Sequence, residues 1–95
     1  MEEIDEIKEL INKINMRDFN SKDYQKMKIE ELSASLREVM KFQQDVFQSI
    51  DEFEKTGIQP DLLKYAKMIC NNTTDREILK IQEVYFNKIE EEYLK

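Results

Sequence analysis

One stretch in the middle of the chain constrains the fold more than any other. Between residues 29 and 53, side chains recur at alternating steps of three and four: Ile29, Leu32, Leu36, Val39, Gln43, Val46, Ile50 and Phe53. This is the heptad spacing of a helix that packs lengthwise on other helices, and Gln43 is its one polar member. The pattern predicts a long central helix over residues 22–55, about 50 Å in length at 1.5 Å per residue.

The apolar face of this helix is wider than a two-stranded coiled coil requires. Met40 and Phe47 flank one side of the heptad positions and Phe42 flanks the other. Such width favours a bundle of several helices. Gln43 has two interpretations, because a polar residue in a heptad either fixes register and partner choice or lies at the edge and reaches water.

Helix signals outside the central stretch predict three more helices. Ile4, Ile7, Leu10, Ile11 and Ile14 form one stripe, which predicts a helix over residues 2–16. Gly57 can take a left-handed conformation that ends the central helix, and Pro60 suits the first position of a third helix over 60–70.

A fourth helix is predicted over residues 75–94. Asn71 and Asn72 are taken as the end of the third helix, and Thr74 with Glu77 matches a capping box at the start of the next. Leu79, Phe86 and Tyr93, at seven-residue spacing, make this helix apolar on a second side. The expected fold is therefore a single all-α domain over residues 1–95, a small antiparallel bundle of about four helices built on one long helix.

Composition narrows the function classes. The 95 residues carry a net charge of −6, which disfavours a direct nucleic-acid interface, because such interfaces need clustered Lys and Arg. The chain has no histidine, which removes the commonest general base and metal ligand. We therefore expect no enzyme activity, no metal or other cofactor and no small-molecule substrate.

The distribution of apolar residues along the chain also predicts where in the cell the protein is located. The longest apolar runs are two or three residues and the chain starts Met-Glu-Glu, so we expect neither a membrane span nor a secretory signal. Cys70 is the one cysteine and is expected to be a buried structural residue. An intracellular protein, cytoplasmic or nuclear, is the expectation.

Helix lengths suggest where a partner binds. With short turns, the first helix would cover only the N-terminal half of the central helix, and the short third helix would cover residues 40–55. Apolar residues at that end would stay exposed and serve as anchors for a partner helix. The predicted partner-binding residues are Met40, Phe42, Phe47, Ile50 and Phe53.

Two functions fit these expectations. One is a scaffold or adaptor subunit that binds a helical protein, or a second copy of itself, through the apolar face of the central helix. The alternative is a small acidic helical regulator, of phage or bacterial type, that blocks an enzyme or a DNA-binding protein. Salt separates the two, because a charge-driven complex weakens as ionic strength rises.

The segment from Asp51 to Leu62 also resembles a known family. The sequence Asp-Glu-Phe-Glu-Lys-Thr-Gly-Ile-Gln-Pro-Asp-Leu is similar to the helix-Gly-x-Asn-Pro-helix turn of the Mediator middle-module subunit 10 family. The order of Leu10-Ile11 and then Leu32, Leu36 and Val39 is similar as well, although Ile58-Gln59 replaces the family's Arg-Asn. The resemblance implies a small, non-catalytic, nuclear scaffold subunit of a transcription coactivator.

Overall fold

A computed structural model describes residues 2–17, 19 and 23–94 of the chain. Helix α1 spans Glu2–Met16, α2 spans Ile29–Glu54 and α3 spans Pro60–Ile89, with a π-helical turn over Glu90–Leu94. Within these residues there is no β-strand. The all-α class is confirmed, but the helices number three rather than about four.

Helix α2 begins later than the heptad pattern predicts. Residue 22, the predicted start, lies outside the described residues, and Tyr24–Lys26 form a single 3-10 turn. Met27 and Lys28 are extended, and the backbone N–H of Lys28 donates to Glu31 Oε1 at 3.3 Å. This extended pair separates the 3-10 turn, in which Tyr24 is buried, from the start of α2 at Ile29. Helix α2 therefore has 26 residues and is about 39 Å long.

The turn between α2 and α3 follows the prediction. Gly57 is left-handed, with φ of 70°, and its N–H donates to the Glu54 carbonyl at 3.1 Å. Pro60 is the first residue of α3, where its missing N–H leaves no hydrogen bond unmade. Gln59 is also left-handed, with φ of 51°, which is uncommon for a residue with a Cβ.

Helix α3 does not break at Asn71 and Asn72, so the predicted helices over 60–70 and 75–94 are one continuous element. Thr74 caps nothing: its hydroxyl donates to the Cys70 carbonyl, four residues back, at 2.8 Å. A threonine inside a helix can satisfy its hydroxyl in this way. Glu77, the other half of the expected capping box, is buried in the bundle.

Helices α2 and α3 are antiparallel over their whole length. Near the turn, Lys67 Nζ lies 2.6 Å from Glu54 Oε1, and at the other end Lys88 Nζ donates to the Met27 carbonyl. The bundle is elongated, measuring 57 × 22 × 17 Å.

The core is divided into two clusters along this long axis. The first cluster lies where all three helices meet, which we name the three-helix end. It contains buried residues of α1, the C-terminal half of α2 and the N-terminal half of α3: Ile7, Ile14, Val46, Ile50, Leu63, Ala66 and Cys70. The second cluster lies where only α2 and α3 pair, which we name the two-helix end. It contains buried residues of α2, α3 and the connection after α1: Phe19, Tyr24, Leu32, Val39, Ile81 and Val84.

The position of α1 is the main correction to the predicted architecture. The connection between α1 and α2 was expected to be a short turn, which would place α1 on the N-terminal half of α2. Instead Phe19 and Tyr24 extend along the second cluster, and α1 packs with Val46 and Ile50. The end of α2 that was expected to be open is therefore the better covered one.

Candidate functional site

The five residues predicted to bind a partner differ widely in burial. Ile50 is 0% exposed and cannot contact a partner in this fold. Phe42, Phe47 and Phe53 are half-buried and pack against the first cluster. Met40 is the exposed member of the set, at 46%. Helix α1 packs at this end, so residues 40–55 are more covered than expected, and the partner-binding role of these five residues stays a prediction.

Gln43 links the two long helices at the boundary between the clusters. Its Nε2 lies 2.7 Å from Thr74 Oγ1, 3.1 Å from Asp75 Oδ1 and 3.3 Å from Asn71 Oδ1. The amide has two N–H groups, so it serves these three acceptors only by sharing. The side chain faces α3, which favours the interpretation that Gln43 fixes the register of α2 against α3.

Three large apolar side chains, two in α3 and one in the π turn after it, are exposed at seven-residue spacing. Leu79 is 65% exposed and Phe86 58%, and Tyr93, in the π turn, is 70% exposed. Their seven-residue spacing places them on one face of the helix. We name these three residues the α3 outer stripe. The sequence signal for it was present, but it was interpreted only as extra apolar width.

The charges beside the outer stripe differ between its two ends. Around Phe86 and Tyr93, Glu83, Glu90, Glu91 and Glu92 are exposed and Lys88 is the single cation between positions 81 and 94, whereas the exposed Arg76 and Lys80 flank Leu79. A partner helix would therefore meet a negative rim at the C-terminal end of the stripe.

A second candidate site is a cavity of about 280 Å³ beside α3. Arg17 and Phe19, from the connection after α1, form one wall. The opposite wall belongs to α3 and consists of Asn72, Thr73, Arg76, Glu77 and Lys80. We name it the basic cavity, because three of its side chains are cationic and one is anionic.

Arg17 is held in place from several sides. One of its terminal nitrogens donates to Glu38 Oε1 at 2.8 Å. Its guanidinium carbon lies 4.8 Å from the ring centre of Phe19 and 5.5 Å from that of Phe42, within range of cation–π attraction. The two rings meet edge to face at 5.9 Å. These contacts fix the guanidinium at the cavity wall.

Glu77 is the buried carboxylate of the cavity, at 4% exposure. Lys80 Nζ lies 3.9 Å from its Oε2, while its Oε1 has no hydrogen-bond partner among the described residues. Burial, and then the neighbouring Glu77, raise the pKa of the Tyr24 hydroxyl above its ordinary range.

Sequence reasoning missed the basic cavity. Arg76 and Lys80 are four residues apart and share a face of α3, which was a readable signal. Arg17 carried no such signal, because only the path of the connection brings it beside α3.

Cys70 lies in the first cluster as a free, buried thiol. Burial, and then the charge of Asp75, raise the pKa of this thiol to about 11. A thiol with a raised pKa is a poor nucleophile at neutral pH, and the predicted structural role is confirmed by its burial.

Comparisons with known proteins yield no relative. The sequence matches no family model, and no curated protein or solved structure is significantly similar to it. None of these results bears on the resemblance to the Mediator subunit family, which stays a prediction. Across residues 2–17, 19 and 23–94, no helix is both long and apolar enough to cross a membrane.

Proposed function

We propose that this chain is a non-catalytic interaction module, a scaffold or adaptor subunit that binds a helical protein along the α3 outer stripe. The observation that carries the proposal is the exposure of Leu79, Phe86 and Tyr93 on one face of the two-helix end. The α3 outer stripe is more exposed than the predicted face of α2, where Ile50 is buried and Phe42, Phe47 and Phe53 are half-buried.

The size of the stripe suits a helix-docking surface. An aromatic side chain has about 150–250 Å² of surface, so the two exposed rings present about 250 Å² between them. Contiguous apolar surface of a few hundred Å² on a monomer usually marks an interface. Seven-residue spacing is the spacing at which a partner helix lays its own apolar face along another.

The rim of the stripe defines the chemistry of the partner. Glu83 and Glu90 lie on the same side of α3 as the stripe, and Glu91 and Glu92 follow. Charges around an interface select partners and raise association rates. A partner helix with an apolar stripe flanked by Lys and Arg matches this surface.

The acidic rim also favours the alternative function. A small acidic regulator would use the same glutamates to occupy the basic site of an enzyme or a DNA-binding protein. In that case affinity would fall steeply with salt, whereas binding dominated by the stripe would change little between low and physiological salt. A Mediator-like coactivator subunit is one specific form of the first function, and an intracellular location accompanies either.

Site-specific photocrosslinking in the native host tests the proposed surface. A photoreactive phenylalanine analogue replaces Phe86 in one strain and Gln48, exposed on α2, in a control strain. We expect a discrete adduct with one other protein from position 86 and none from position 48. No adduct from position 86, or the same adducts from both positions, would refute the proposal.

A point variant then separates docking from folding. Phe86→Glu places a charge on the stripe and removes a ring contact with the half-buried Tyr85, while both clusters keep their buried residues. The helical circular dichroism signal should therefore be unchanged while the adduct partner no longer binds. Measured for the unmodified chain, binding to that partner should persist from about 50 to 500 mM salt. Loss of binding over that range would favour the acidic regulator instead.

A further inference from the structure

Exposed apolar side chains continue along α3 before the outer stripe begins. Tyr65 is 50% exposed and Met68 is 56% exposed. Tyr65 lies two seven-residue steps before Leu79 and therefore shares its face of the helix. From position 65 to position 93 this face is about 40 Å long at 1.5 Å per residue. The exposed apolar surface is thus longer than the outer stripe alone.

The positions on this face are arranged symmetrically about Leu79. Tyr65 and Tyr93 lie at equal distances before and after it in the sequence, and so do Asn72 and Phe86. When a second α3 runs antiparallel with its own Leu79 against this one, each Tyr65 meets Tyr93 of the second copy. Each Phe86 then meets Asn72, a polar residue of the kind that sets register between paired helices. The face therefore matches a reversed copy of itself.

The charges beside Leu79 match in the same orientation. Arg76 precedes Leu79 and Glu83 follows it on one edge of the stripe, and both charged side chains are exposed. Antiparallel pairing about Leu79 places Arg76 of each copy opposite Glu83 of the other. A parallel pair would instead place each of these charges beside its like, which is repulsive. Antiparallel helices also bring opposite ends of their dipoles together.

The exposed area fits a weak dimer. An aromatic side chain has about 150–250 Å² of surface, so Tyr65, Phe86 and Tyr93 together present about 350 Å² per copy. With Leu79 and Met68 added, a pair of copies would bury roughly 1,000 Å², below the range of about 1,200–2,000 Å² that stable complexes bury. The expected dissociation constant is on the order of 100 µM.

We propose that a second copy of this chain docks its α3 antiparallel on this face, with Leu79 at the two-fold axis. The inference rests on the proposed function, because it uses the same docking surface. The dimer covers the outer stripe when no partner is bound, so self-association and partner binding compete. Because the dimer is weak, a partner of higher affinity displaces the second copy at low protein concentration.

Sedimentation equilibrium of the full chain tests the dimer between about 10 µM and about 1 mM. We expect a monomer–dimer equilibrium for the parent chain and a monomer throughout for Phe86→Glu. Met40→Glu changes an exposed apolar residue of α2 and should dimerise as the parent does. A parent chain that stays monomeric at 1 mM would overturn the proposal, and so would a dimer that Met40→Glu disrupts and Phe86→Glu does not.

Charge-swap variants test the antiparallel orientation. Arg76→Glu and Glu83→Arg each create two like-charge contacts in the antiparallel pair and should each weaken dimerisation about tenfold. The double variant, and an equimolar mixture of the two single variants, should recover the affinity of the parent chain. Lys41→Glu makes the same change in net charge on α2 and should have no effect. Single variants that dimerise like the parent, or a double variant that does not recover, would reject this arrangement.

The dimer and the proposed function fail in different experiments. A chain that stays monomeric at 1 mM, yet forms the photocrosslinked adduct from position 86, would reject the dimer and leave the proposed function standing. A dimer in sedimentation, without an adduct to another protein, would support the dimer and reject the proposed function.

Discussion

The two ends of this bundle use the same pair of helices but are covered differently. At the three-helix end, α1 closes over α2 and α3, and nearly all large apolar side chains of α2 are at least half-buried. At the two-helix end, Phe19, Tyr24 and Met27 from the connection contribute to the cluster, and Leu79 and Phe86 stay exposed. Helix α2 is thus covered at both ends, whereas the outer face of α3 is exposed along its length, from Tyr65 and Met68 to Leu79 and Phe86.

Both candidate sites involve side chains of α3. The outer stripe is the uncovered face of α3, and the basic cavity lies between α3 and the start of the connection. Gln43 and Thr74 mark the boundary between the two clusters with a hydrogen bond across the helix pair. Stability is therefore expected to concentrate at the three-helix end and binding at the other.

The largest test of this comparison is a matched pair of cavity mutations. Ile50→Ala and Ile81→Ala each truncate a side chain that is fully buried. We expect losses in the free energy of unfolding of about 4 kcal/mol for Ile50 and about 3 kcal/mol for Ile81. The two-helix end should collapse more easily around the cavity, because only an irregular segment encloses its third side. Urea unfolding followed by circular dichroism measures both, and a larger loss at Ile81 would reverse the comparison.

A smaller effect is expected at the boundary between the ends. Gln43→Leu removes the amide that serves Thr74, Asp75 and Asn71, at a cost of about 1–2 kcal/mol. Gln44→Leu, one residue along and exposed, should change stability by less than about 0.5 kcal/mol. If both variants unfold at the same urea concentration as the parent chain, Gln43 has no part in joining the helices.

The turn at the three-helix end gives a still smaller effect. A Cβ added at Gly57 meets no atom within 4 Å, so Gly57→Ala tests the left-handed backbone alone. We expect a loss of about 1 kcal/mol, and a smaller loss for Gly57→Asn, because asparagine tolerates this conformation better. Thermal unfolding of the two variants gives the order, and an alanine variant as stable as the parent would show that the turn relaxes without strain.

The smallest effect at neutral pH concerns Cys70. Its pKa of about 11 lies above the ordinary value of 9.0, so burial of the neutral thiol contributes stability that is complete below pH 9. That contribution is lost as pH rises toward 11. The stability advantage of the parent chain over Cys70→Ala should therefore be constant from pH 6 to 8 and shrink from pH 9 to 11. Urea midpoints at each pH provide the measurement, and a parallel pH dependence of the two proteins would contradict it.

Much of the local structure was readable from the sequence. Helix α1 has the bounds that its apolar stripe predicts, and the Gly57 and Pro60 signals mark the turn. These features depend on neighbours within a few residues, which the sequence shows directly. The predicted helix break at Asn71 was wrong. Thr74 and Glu77 match a capping box in the sequence, but both lie inside a continuous helix that packs against α2.

The sites were less predictable than the helices. The seven-residue spacing of Leu79 and Phe86 was visible, but spacing alone does not reveal which apolar face a neighbouring helix covers. Phe47 and Phe53 follow helical spacing as clearly as Leu79 and Phe86 do, yet they pack against the core. Arg17 joins Arg76 in the cavity only because the connection runs along the bundle, which no local pattern indicates.

By itself, the sequence determined that this chain is helical, that its helices are amphipathic and where the main turn lies, because periodicity and backbone preferences act over a few residues. The tertiary structure decided which half of α2 receives α1. That choice depends on where the segment after α1 finds burial for Phe19 and Tyr24, an interaction between residues distant in sequence. The same choice determined which apolar residues of α2 and α3 pack in each core cluster.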